Sequence, residues 1–228
     1  MARLIRPGIG EDAYGALNRG LREAVRSLSG ARDADVAIAT LERLGRDSVL
    51  DVEGEVDAIR RHTAATRQRV RVPEIGAIGD AFESVTFERA EAAIVRAAVS
   101  REVDKLRRRA RVARRGPTPE AMHDWRKSAR HLRALLRVLV GVNRRRVRAI
   151  ERRVNELCDV LGELHDCQVV REQLAAAGGD AGRIEGALGR RERRLQLRAF
   201  EVWRGTRGRV PTGLGARIAR WRRATRKR

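Results

Sequence analysis

Between Met122 and Val140 the chain reads MHDWRKSARHLRALLRVLV, a stretch whose two kinds of side chain separate only if it is a helix. At 3.6 residues per turn, His123, Arg126, Lys127, Arg130, Arg133 and Arg137 fall within an arc of about 120°. Trp125, Ala129, Leu132, Leu135, Leu136 and Leu139 fall on the opposite arc. One face must be buried, and the other is a strip of cations with no carboxylate inside it. Like charges at i,i+3 and i,i+4 repel by roughly 0.2–0.5 kcal/mol per pair in an isolated helix. A fold that keeps such a strip needs counter-charge from elsewhere, either its own acids or a polyanionic ligand.

The rest of the chain extends this pattern. Its 42% apolar and 36% charged residues suit a folded helical protein rather than a disordered one, and aromatic residues make up only 3%. Arginine and lysine number 51 against 30 acids, a net charge of +21. Lysine occurs only at positions 105, 127 and 227, so the positive charge is almost entirely guanidinium. Guanidinium favours bidentate contacts with phosphate or carboxylate, and a polyanion (polyphosphate, nucleic acid or an anionic membrane) is the partner such a balance predicts. Cys158 and Cys167 offer no disulfide framework and no metal spacing, and read as reduced thiols of a cytoplasmic protein. The N-terminus has no apolar signal core, and no run of about 18 apolar residues occurs, so neither secretion nor a membrane span is expected.

In order, the periodicity predicts helices over about 11–28, from Asp33 to beyond Leu44, and over about 48–70. Ser29-Gly30 is expected to interrupt the first two, with Asp33 as a structural N-cap. Residues 73–80, holding Pro73, Gly76 and Gly79, read as a linker between a first half (1–72) and a second (81–228). A helix over about 82–115 carries Arg101, Lys105 and Arg108 on one face. Thr118 with Pro119 then starts the Met122–Val140 helix. Beyond Gly141, a helix over about 144–161 carries Arg145, Arg148 and Arg152. A break is expected at Gly162, with Asp166 capping a short helix to about Ala177. A long helix over about 182–204, a break over 205–215 and a short terminal helix with a basic tail complete the reading.

Positions 133 apart repeat. Glu23, Leu28, Asp33, Val36 and Leu41 correspond to Glu156, Leu161, Asp166, Val169 and Leu174. With one gap, Leu4-Ile5 corresponds to Val138-Leu139, which makes residues 1–6 the end of a helix equivalent to Met122–Val140. The first half is therefore expected to start late, without most of its own basic helix, and a second chain supplying that helix would make a dimer.

PTPEAMHDWRKSARHLRALLRVL resembles the signature helix of the CHAD domains, the conserved histidine α-helical domains, in which a His is followed by Arg and Lys at helical spacing. About forty residues later, LGELHDCQVVREQL resembles that family's second motif, and REAVRSLSGARDADVAIATLERL resembles the same motif with Arg32-Asp33 in the key positions. The resemblance covers nearly the whole chain. It implies an all-α fold of two helical bundles, related by a pseudo-two-fold axis, with a basic channel between them. It also implies binding of inorganic polyphosphate without catalysis or cofactor, in the cytoplasm and at polyphosphate granules. By motif position the ligand-facing residues would be His123, Arg126, Lys127, Arg130 and Arg133, with Arg137 added by periodicity. The strips Arg101/Lys105/Arg108 and Arg145/Arg148/Arg152 would extend the basic surface.

Three rival readings stand beside this one. The 123–137 strip could be a solvated face paired with acids of a neighbouring helix. Net charge alone supports non-specific DNA or RNA binding, although single-strand binding usually rests on aromatic platforms and this chain has three Trp, three Phe and one Tyr. His123 with His165-Asp166 superficially fits a metal-dependent phosphohydrolase, but cations flank these residues and few carboxylates accompany them, so no metal is expected. Asp33 and Asp166 read as structural. Trp125 reads as core, which removes it as a stacking platform.

Overall fold

The computed structural model describes residues 11–67, 92–139, 144–208, 210 and 214–217, and the description that follows concerns these. Six long helices carry the fold: α1 (Glu11–Ser48), α2 (Glu53–Arg67), α3 (Ala92–Arg115), α4 (Pro119–Val138), α5 (Arg144–Ala176) and α6 (Gly182–Arg207). No strand occurs among the described residues. The all-α expectation therefore holds. The 73–80 linker, residues 1–6 and the basic tail from Trp221 lie outside the described residues.

α5 is the shared support, packing against α4, α6, α1 and α2, while α3 covers the other side of α4. The apolar arc of α4 is buried as its spacing predicts: Trp125, Ala129, Leu132 and Leu136 are fully enclosed. Trp125 stacks on Phe200 of α6, with centroids 5.4 Å apart and planes 17° apart, and meets Trp203 edge-on at 6.2 Å. Cys158 and Cys167 are free and buried, and burial pushes both thiols up to about 11. Arg191 of α6, buried against the core, donates to Asp47 of α1 at 2.9 Å and to Glu163 of α5 at 3.1 Å, tying three helices together.

Two expected breaks do not occur: α1 runs straight through Ser29-Gly30 and α5 through Gly162, whereas the break expected over 205–215 comes three residues late, α6 ending at Arg207. A glycine within a helix costs roughly 1 kcal/mol relative to alanine. Burying a single Val, Leu or Ile side chain offsets that by about 1.5–3 kcal/mol, and Leu157, Leu161 and Val170 of α5 are all enclosed. Asp33 and Asp166 are consequently interior helix residues, not N-caps. The real break after α1 comes at Val49, which takes a left-handed φ of 51° while Leu50 N–H donates back to Gly45 O at 3.0 Å. A Cβ on Gly45 would lie 2.9 Å from Leu50 O, so the tight turn needs a glycine there.

Candidate anion-binding groove

α4 begins as its sequence predicts: Thr118 is extended and its hydroxyl accepts from Ala121 N–H at 3.2 Å, with Pro119 in the first turn. Burial of Trp125 and its neighbours then sets the rotation of the cationic strip. One edge of the strip turns towards α5 and finds partners there. Arg133 Nη1 donates to Asn155 Oδ1 at 3.1 Å, and Asn155 Nδ2 passes the interaction on to Asp159 Oδ2 at 3.1 Å. Arg137 Nε donates to Glu151 Oε1 at 3.1 Å. On the far flank of α4, Arg109 of α3 pairs with Asp124 at 2.9 Å, and Glu102 lies 3.9 Å from His131 Nδ1. The solvated-face reading thus describes the edges of α4, where the chain's own acids supply counter-charge.

The middle of the strip is different. Arg126 is half-buried, and its pKa is lowered first by burial and then by the Arg130 guanidinium, while the Asp166 carboxylate opposes this. Arg32 of α1 adds a further lowering, so a guanidinium of α1 also acts on this group. Burial raises the Asp166 carboxyl, and Arg126, then Arg43 of α1, pull it down. Asp166 therefore feels cations of three helices, Arg126 of α4, Arg43 of α1 and Arg191 of α6, and one further carboxylate, Glu163. Counting Arg32, Arg43, Arg126, Arg130 and Arg191 against Asp166 and Glu163, positive charge is in excess there. Lys127 and Arg130 are exposed beside it.

His123 and His165 close the end of this group, with ring centroids 5.5 Å apart. Burial lowers His165 to about 4, with Arg126 and His123 adding to the effect. Burial, then Lys127 and Arg126, lower His123. The two imidazoles open onto a cleft of about 470 Å³, also lined by Arg126, Gln168, Arg171 and Gln196. Arg171 is held in its wall by Glu185, at 2.9 Å, and by Glu192, at 3.1 Å. Among the described residues, no group of three or more His, Cys, Asp or Glu is placed to hold a metal ion.

Of the residues singled out by sequence, His123, Arg126, Lys127 and Arg130 share this surface, whereas Arg133 and Arg137 are engaged by α5. Arg101 and Arg108 are exposed and Lys105 half-buried on α3. Arg145, Arg148 and Arg152 are exposed near the start of α5, with Arg152 about 21 Å of helix rise before Asp166. Neither strip is in the group around Arg126. Arg43 and Arg171 escaped the sequence reading. Arg32 was visible only as the counterpart of His165, the pairs Arg32-Asp33 and His165-Asp166 being 133 residues apart.

A family model describing the CHAD domain matches residues 1–175. No curated protein and no solved structure matches the chain. Among the described residues, no helix is long and apolar enough to cross a membrane.

Proposed function

The chain belongs to the CHAD domain family, and we propose that it binds inorganic polyphosphate without turning it over. In this reading α4 and α1 are the two walls of a groove floored by α5. Arg126 and Arg130 act from one wall, Arg32 and Arg43 from the other, and His123 and Lys127 extend the first. The observation that carries the proposal is the surplus of guanidinium around Arg126 and Asp166: Arg130 and Arg32 act on Arg126, and Arg126, Arg43 and Arg191 act on Asp166, against the two carboxylates Asp166 and Glu163. A linear polyanion with one charge per phosphate supplies the missing counter-charge and accepts bidentate guanidinium bonds along its length. The strips on α3 and at the start of α5 would raise the local concentration of polyanion rather than fix its position. This reading places the protein in the cytoplasm, at polyphosphate granules.

The test is displacement of labelled polyphosphate by unlabelled polyphosphate, DNA or RNA at equal phosphate concentration, repeated over a salt series. Polyphosphate should compete best, with affinity falling steeply as salt rises. Equal competition by nucleic acid would defeat the proposal and favour non-specific nucleic-acid binding through the same groove.

A further inference from the structure

A second basic concavity lies away from the α4 groove, where the C-terminal halves of α3 and α6 meet. It has a volume of about 420 Å³ and is lined by Arg111 and Arg114 of α3, by Arg204 and Arg207 of α6, and by Phe200 and Trp203. All four arginines are exposed, no carboxylate lines the cleft, and none of the four is in an ion pair among the described residues. Arg107 holds the end of α6 in place, donating to Arg207 O at 3.3 Å and Val210 O at 3.0 Å. Trp125 anchors both rings from beneath, yet Phe200 and Trp203 stay only half-buried.

Arginines in the last turn of a helix favour its negative end, which accounts for Arg114, Arg204 and Arg207 as charges. It does not account for two aromatic rings left half-open between them. Bare phosphate chains would use the guanidinium groups and gain nothing from the rings. A membrane surface calls for a flat or protruding apolar face, not a recess. A nucleotide has both parts, a planar base that stacks on aromatic residues and phosphates that guanidinium groups bind. The volume is within the range of small-ligand sites, roughly 300–1,000 Å³. We infer that the α3/α6 cleft binds a nucleotide unit, its base against Phe200 and Trp203 and its phosphates on Arg111, Arg114, Arg204 and Arg207. This site is separate from the polyphosphate groove and does not depend on that reading.

The test is calorimetric titration of the full chain in an Arg126→Ala/Arg130→Ala background, which weakens the groove, with ATP, with tripolyphosphate (the same phosphates without a base) and with a short oligothymidylate, polyphosphate displacement being followed with the groove intact. ATP should bind about fivefold or more tightly than tripolyphosphate, the least that one stacked base contributes. The double variant Arg111→Gln/Arg207→Gln should weaken ATP binding about tenfold, while displacement of labelled polyphosphate from the groove stays unchanged. Trp203→Leu should abolish the preference for ATP and spare tripolyphosphate. Should that variant not fold, the exposed arginine pair still decides the matter. Equal binding of ATP and tripolyphosphate, or an arginine double variant indistinguishable from the parent, would overturn the inference. Oligothymidylate binding far more tightly than ATP through the same arginines would identify single-stranded nucleic acid as the source of the unit. Comparable binding would identify free nucleotide.

Discussion

The imidazoles of His123 and His165 meet between α4 and α5 with ring centroids 5.5 Å apart and planes tilted by 46°. Burial, and then the neighbouring cations, lower both groups, His165 to about 4. An unfolded chain protonates these groups near pH 6.5. The folded state resists His165 protonation down to about 4, so stability is intact above pH 6.5 and falls as pH drops between those values. His165→Gln removes that loss. Thermal midpoints measured from pH 7 to pH 4.5 should decline less for the variant than for the parent, and identical declines would assign acid lability to other groups.

Arg126 and Arg137 occupy the same helical strip yet have different neighbours, and polyphosphate affinity should distinguish them. Arg126→Ala, Arg130→Ala and Arg32→Ala should each cost on the order of 1–3 kcal/mol of binding, as loss of a charge-assisted bond does at a shielded site. Arg137→Ala should cost much less, because its Nε is already committed to Glu151, and Arg226→Ala in the tail less still. Isothermal titration of the set would check this, and a uniform loss across all five would indicate charge attraction without a defined groove.

Trp125 is fully enclosed and in contact with both Phe200 and Trp203. Trp125→Ala should lower the free energy of unfolding by about 3–5 kcal/mol, the usual range for truncating a large core aromatic. Urea titration followed by circular dichroism measures it. A loss below about 1 kcal/mol would mean that the α3–α4–α6 core closes over the gap.

Val49 pairs a β-branched side chain with a left-handed backbone, and it is 95% exposed, so its side chain contributes almost no packing. Val49→Gly should therefore stabilise the α1–α2 turn by about 1 kcal/mol. Gly45→Ala should do the reverse, because its Cβ would press on Leu50 O and Val52. Paired melting curves of the two variants give opposite signs if the turn is as described.

The helical class, the start of α4 at Thr118-Pro119 and the burial of Trp125 are local matters of periodicity and capping, and for that reason they were legible in the sequence. The continuity of α1 and α5 was not. Gly30, Gly162, Asp33 and Asp166 each carry a local signal for a break or a cap, and tertiary burial outweighs it. At the candidate groove, the sequence showed which side chains share the α4 strip but not which are already engaged. Asn155 and Glu151 of α5 reach Arg133 and Arg137 of α4. Spacing along one helix carries no information about a neighbour's rotation. Few aromatic residues in the composition also hid the fact that two of them, Phe200 and Trp203, come to line a basic recess.

Arg107 reaches the carbonyls of Arg207 and Val210 across 100 and 103 residues of chain. The α4–α5 and α5–α6 pairs join helices that follow one another closely in sequence. The α3–α6 clasp closes a far longer loop, with a larger entropic cost that delays it behind the local pairs. Contacts absent from the folding transition state act on the rate of unfolding alone. Anything seated between α3 and α6 should therefore prolong the life of the folded chain while leaving the speed at which it folds untouched.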